Sequence, residues 1–363
     1  MRKIRNYKIK YNELILCCKI NLKKSPKGLN TLKFGDKFNQ PLEKLPKNLH
    51  VLILGRNFNQ PLENLPNGLR ILILGKKYNQ PLINLPNSLQ VLILGDNFAQ
   101  PLKNLPNGLR TLILGENFDQ PLENLPNGLR SLTLLGFNQK IDNLPNGLRS
   151  LTFGHNFNQK LENLPNSLRS LTLGAQFNER LENLPNGLRN LTLGYSFNQP
   201  LENLPNDLQS LTLFWKFNQP LENLPNGLQS LTLSNNFNKK LENLPKSLLR
   251  LTLGYAFNQK LENLPIGLRT LILGNSFNQK LEKLPNSLQS LTLGQNFSQE
   301  LDICLALPRL QILQLYCEYK GNIPIFFGTT IIIRDNKIKS QAKQNYEFGE
   351  WKDFFYNSIK TLS

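Results

Sequence analysis

Residues 58–97 read FNQPLENLPNGLRILILGKK followed at once by YNQPLINLPNSLQVLILGDN, a twenty-residue unit and its near copy. Each opens on an aromatic, Phe58 or Tyr78, which recurs at Phe38, Phe98, Phe118, Phe137, Phe157, Phe177, Phe197, Phe217, Phe237, Phe257, Phe277 and Phe297. Of these thirteen intervals twelve are twenty residues, and the one from Phe118 to Phe137 is nineteen. A fixed period of this length marks a stacked solenoid, in which each unit touches only its neighbours. That reading replaces the two or three globular domains that 363 residues would otherwise suggest.

With the aromatic as position 1, apolar residues recur at positions 5, 8, 12, 15 and 17. The last three form L-x-x-L-x-L, as in Leu69, Leu72 and Leu74, or Leu188, Leu191 and Leu193. This stretch is a short strand, with positions 15 and 17 inward and 14, 16 and 18 outward. Position 9 is Pro in every full unit, and a second Pro holds position 4 in seven of them. Proline removes a donor and pushes its predecessor to extended geometry, so the return side is expected to be extended segments and turns. Asn at position 2 (Asn39, Asn59, Asn158) is expected to form an amide ladder satisfying loop backbone. The aromatic column is expected to be a stacked spine.

No single unit buries enough to fold alone, so the ends need caps. Residues Leu14 to Leu22 alternate and are expected to supply an N-terminal edge strand. Leu310, Leu313 and Leu315 repeat the strand pattern after a 22-residue step, and Ile331–Ile333 offers a final strand. Residues 341–362 read as an amphipathic capping helix with Trp351, Phe354, Phe355, Ile359 and Leu362 on one face. The expected organisation is a basic N-terminal cap (1–28), the solenoid (29–300), degenerate coils (301–338) and the capping helix (339–363).

Four cysteines, Cys17, Cys18, Cys304 and Cys317, are too few and too uneven for a disulfide framework. The apolar run Leu14–Cys18 is too short for a signal peptide, and no stretch approaches the length of a membrane helix. A cytoplasmic monomer is therefore expected. The net charge of +18 is uneven: +8 in residues 1–28, +8 in 29–300 and +2 in 301–363.

The strand pattern resembles that of leucine-rich repeats, and F-N-Q-P-L-E-N-L-P-N-G-L resembles the FNIP repeat more closely still. The resemblance implies a mainly β solenoid of about fifteen to sixteen coils of twenty residues, with one parallel sheet. Proteins of this kind occur mainly in amoebae and the large viruses that infect them, and some carry an N-terminal F-box that recruits ubiquitin-ligase machinery. The 28 residues before the repeats are too few for a complete F-box.

Catalysis needs an irregular cluster, whereas this chain offers ladders. Glu at position 6 (Glu63, Glu123, Glu162) reads as a solvated column, and His50 and His155 lie five coils apart. Cys17 and Cys18 make a poor metal clamp. No enzyme activity, cofactor or metal is expected. The variable positions are the candidates for partner binding. Val51, Ile53, Ile71, Ile73, Val91 and Ile93 give the first strands an aliphatic outer face. Arg110, Arg130, Arg149, Arg169 and Arg189 form a row of like charges that an acidic partner would relieve. Tyr195, Trp215 and Tyr255, with Phe214, cluster at the strand exits. The function expected is a non-catalytic protein-interaction scaffold. The alternatives are the substrate-recognition part of a ubiquitin ligase lacking a complete F-box, and nucleic-acid binding through the basic leader and Arg row. No membrane association is expected.

Overall fold

The computed structural model describes residues 7–10, 13–16, 28–42, 45–316, 319–323 and 328–334. Among these residues eighteen strands, β1 (Tyr7–Lys10) to β18 (Thr330–Arg334), form one sheet. From β2 (Glu13–Leu16) to β18 every neighbouring pair is parallel, one strand per coil. Within the repeats the register is a shift of one unit: Ile71 pairs with Val51 and Val91, and Leu72 with Leu52 and Leu92. The fold class expected from the repeat is the one observed. The expected capping helix over residues 339–363 lies outside the described residues.

Each coil is closed by the same few bonds. The Leu at position 12 donates to the Pro carbonyl at position 9 (Leu69 to Pro66, 3.0 Å), which makes Pro-Asn-Gly-Leu a turn. The carbonyl at position 13 accepts two N–H groups from the following coil, as His50 does from Arg70 (2.8 Å) and Ile71 (3.0 Å). Asn at position 7 takes a left-handed conformation in eleven coils, with φ between 53° and 59°. Asn is one of the few residues with a side chain that enter this region readily. Lys283, which holds the same place near the C-terminal end, does not adopt it. At position 18 most coils carry glycine, and proximity is the reason: a Cβ on Gly75 would collide with the Gly55 carbonyl one coil back.

The core is a rod of leucine around a column of rings. Leu72, Leu74, Leu191 and Leu193 are buried, as is every spine aromatic from Phe38 to Phe297. Successive rings stack at 6.0–6.3 Å along most of the column. Parallel strands are spaced about 4.8 Å apart. Coils therefore fan out from sheet to spine, which places the sheet on the concave side. The nineteen-residue unit interrupts the column. Beyond it, Phe153 replaces the usual Leu at position 17 and bridges Phe137 (6.4 Å, tilted 30°) to Phe157 (3.8 Å).

The ends differ from expectation in one respect. Strand β2 pairs with β3 (Thr31–Phe34), but the edge is β1, which turns back antiparallel with Tyr7 opposite Leu16. At the other end β17 (Ile312–Tyr316) and β18 follow the expected pattern after a 3-10 turn at Asp302–Ala306. Ile331 and Ile333 stand in register with the buried Leu313 and Leu315.

A candidate protein-binding face

Three surface features occupy the concave face and its rim. The first is aliphatic. Strands β4 (Val51–Leu54), β5 (Ile71–Leu74) and β6 (Val91–Ile93) pair so that Val51, Ile71 and Val91 form one row and Ile53, Ile73 and Ile93 the next. Strand β7 (Thr111–Leu114) extends the second row with Ile113. These side chains point away from the core, yet they are half-buried, and Ile93 is only 8% exposed. Thr133 and Thr152, at the same position in later coils, are likewise buried. Curvature is the cause: outward-pointing side chains on the inside of a bend crowd one another. The alternation read from the sequence is correct in direction but overstates the exposure.

The second feature is the arginine row, which the structure divides. Arg110 donates through Nη1 to the Gly128 carbonyl (3.1 Å) and Arg130 to that of Gly147 (2.7 Å). Arg169 donates to Gly187 (3.1 Å), and also to Asn166 and Leu168. In each case the acceptor is the position-11 glycine of the next coil, where a Cβ on Gly147 or Gly187 would collide with the guanidinium. Arg149 and Arg189 precede coils that carry Ser167 and Asp207 at that place. Ser167 instead donates its own hydroxyl to Leu148 (2.5 Å). So Arg110, Arg130 and Arg169 join coils, a role that the residue pattern did not disclose. The signal available was the glycine at position 11 directly after each of these coils.

The third feature is aromatic. Tyr195 and Trp215 stack at 5.4 Å with 16° between planes, and Lys216 Nζ lies 5.5 Å from the Tyr195 ring. Phe214 stands where most coils have the position-18 glycine, and Trp215 beside it has φ of 41°. That value is unusual for a bulky residue and costs on the order of 1–3 kcal/mol. Tyr255, 54% exposed, lies two coils farther along the rim. Tyr195 and Trp215 are thus one platform, and Tyr255 stands apart from it.

On the turn side, Asn at position 2 forms the expected ladder. The Asn59 N–H donates to Asn39 Oδ1 and the Asn79 N–H to Asn59 Oδ1, each at 2.8 Å. Gln at position 3 adds a weaker bond to the same oxygen, as Gln80 does. A wide-open depression of about 450 Å³ lies on this side, among Glu202, Asn203, Leu204, Asn206 and Asn223. Among the described residues no group of three His, Cys, Asp or Glu side chains is placed to hold a metal ion. His155 lies 3.4 Å from Gln176, and Cys304 is buried, which pushes its thiol up to about 12. Cys17, Cys18 and Cys317 lie outside the described residues. No helix among the described residues is long and apolar enough to cross a membrane.

The FNIP Repeat family model matches this chain nine times between residues 21 and 317, over matches such as 38–77, 137–176 and 257–294. The chain belongs to the FNIP-repeat family. Among solved structures it is similar to CroV588, described as a circular leucine-rich-repeat protein, with 44% identity and a TM-score of 0.78. That match covers 86% of this chain and 50% of CroV588, so this FNIP-repeat chain spans about half the length of its circular relative. It is more distantly similar to YopM from Yersinia enterocolitica WA-314, at 18% identity and a TM-score of 0.41, covering 90% and 91% of the two chains. No curated protein sequence matches significantly. Solenoids of the leucine-rich-repeat type are common protein-interaction scaffolds.

Proposed function

We propose that this FNIP-repeat chain is a non-catalytic scaffold that presents its concave sheet face and strand-exit rim to a protein partner. One contrast carries the reading. Positions 1, 12, 15 and 17 hardly change from coil to coil, whereas positions 13, 14, 16, 19 and 20 do. Stacking needs only the first set, and function on a reused fold lives in the second. The contact points are the aliphatic block, the Tyr195–Trp215 platform with Tyr255 beyond it, and Arg149 and Arg189. Arg110, Arg130 and Arg169 stiffen the face from which these project.

The test is affinity capture from the native host cell with three proteins: the intact chain, Ile53→Lys with Ile73→Lys, and Arg149→Glu with Arg189→Glu. At least one altered pair is expected to lose captured proteins while circular dichroism stays unchanged. An identical captured set from all three removes the concave face as the binding surface.

A further inference from the structure

Charge is divided between the two sides of the solenoid. Within residues 29–300, positions 13–20 of the coils, the strand and its exit, carry fourteen Lys or Arg and three Asp or Glu, a net +11. Positions 1–12 carry twelve and fifteen, a net −3. The sheet side is therefore the basic side. Asp96 pairs with Lys76 at 3.1 Å, and Asp36 accepts the Arg56 backbone N–H at 3.0 Å, so both are engaged locally.

The excess charge borders the aliphatic block. Lys33, in β3, stands in register with Ile53 and so ends the row of isoleucines with a cation. Arg70 directly precedes Ile71, while Lys37, Arg56 and Lys77 follow at the strand exits, and all five cations are exposed. Residues 50–57, 70–77, 90–97 and 110–117 contain no Phe, Tyr or Trp. A single-stranded nucleic acid gains much of its affinity by stacking bases on flat rings, and this strip offers just the half-buried imidazole of His50. Aliphatic side chains edged by cations suit carboxylates flanking aliphatics.

We infer that the sheet face over β3–β7 docks an acidic, aliphatic segment of a partner protein, laid across the strands. Five strands at about 4.8 Å spacing span about 19 Å, which about six extended residues at about 3.3 Å each would cross. This rests on the scaffold reading above and specifies its partner. The cations speed encounter and bias against basic partners, and the half-buried Val and Ile side chains supply the contact that acidity alone lacks.

The test uses the full chain and three fluorescein-labelled probes: a peptide of alternating Glu and Val long enough to cross the five strands, its Glu/Ser counterpart, and an oligo(dT) of similar charge. Fluorescence anisotropy is expected to show the Glu/Val peptide binding about tenfold tighter than the Glu/Ser peptide, the advantage of a few aliphatic contacts. Added salt is expected to weaken both peptides. Arg56→Glu with Lys77→Glu, on exposed residues, is expected to weaken both peptides; Ile53→Asp with Ile73→Asp is expected to erase the difference between them. Equal affinity for the two peptides, preference for oligo(dT), or no peptide binding overturns the inference. If captured cellular proteins still depend on the face while the Glu/Val peptide does not bind, the scaffold reading stands and this partner chemistry falls.

Discussion

The coils of β4–β7 and those of β9 (Ser150–Phe153) to β12 (Ser210–Leu213) bury the same side chains and expose different ones. Both bury a ring and the leucines of positions 12 and 15, and both hang on the same Asn ladder. Outward, the first group shows Val and Ile at positions 14 and 16, apart from Thr111 in β7, whereas the second shows Ser, Thr and Asn. The stacking that makes the rod constrains only what points into it. The outer face is free to diverge, except where an arginine is recruited to bond the next coil. Divergence along a uniform rod is how such a chain acquires a site at one place and not another.

Removing one ring from each region tests their shared core most severely. Phe98→Ala and Phe177→Ala are each expected to cost about 3–5 kcal/mol in urea unfolding, because both rings are wholly buried and stacked. A cost at one site less than half that at the other would mean the two cores are not equivalent.

A smaller change separates the regions by a single oxygen atom. Tyr78 puts a phenol where the neighbouring coils have Phe, and its hydroxyl is buried without a hydrogen-bond partner. Leaving such a group unsatisfied costs about 1–3 kcal/mol, so Tyr78→Phe is expected to raise stability by that order. Burial also pushes the Tyr78 phenol well above its usual range. Because the folded-state value is raised, the phenol ionises first in the unfolded chain. Stability is then lost as pH rises above about 10, the ordinary tyrosine value. The gap between Tyr78→Phe and the parent chain should widen in that alkaline range. An unchanged or lower unfolding midpoint would mean the hydroxyl has found a partner.

The slightest of these effects distinguishes two members of the arginine row. Arg130→Ala removes a 2.7 Å bond to Gly147 and is expected to cost about 0.5–1.5 kcal/mol. Arg149→Ala, ahead of a coil carrying Ser167, is expected to stay within about 0.5 kcal/mol of the parent. Equal losses would mean that the position-11 glycine is not what engages the arginine.

Much of this was readable from spacing. Twenty-residue periodicity, proline at position 9 and the L-x-x-L-x-L run give one parallel strand per coil, because each is a local rule repeated. The asparagine ladder was readable for the same reason. The left-handed turn at position 7 also has its signal in the chain, an Asn recurring there in eleven coils. Glycine at position 18 answers to the coil behind it, whose backbone a Cβ there would meet in most coils, and no single unit shows that. The outward direction of the aliphatic rows follows from the alternation along each strand, and their half-burial does not, because exposure depends on curvature that no single unit contains.

Taken alone, the order of residues determined the repeat, the inward and outward sides, and which positions vary. Those follow from chain chemistry within twenty residues. Only the tertiary structure decided which face is concave, that Arg110, Arg130 and Arg169 turn to carbonyls of the next coil, and that Tyr195 and Trp215 meet as one surface. Each of these is a distance between atoms in different coils, set by how the coils fan as they stack.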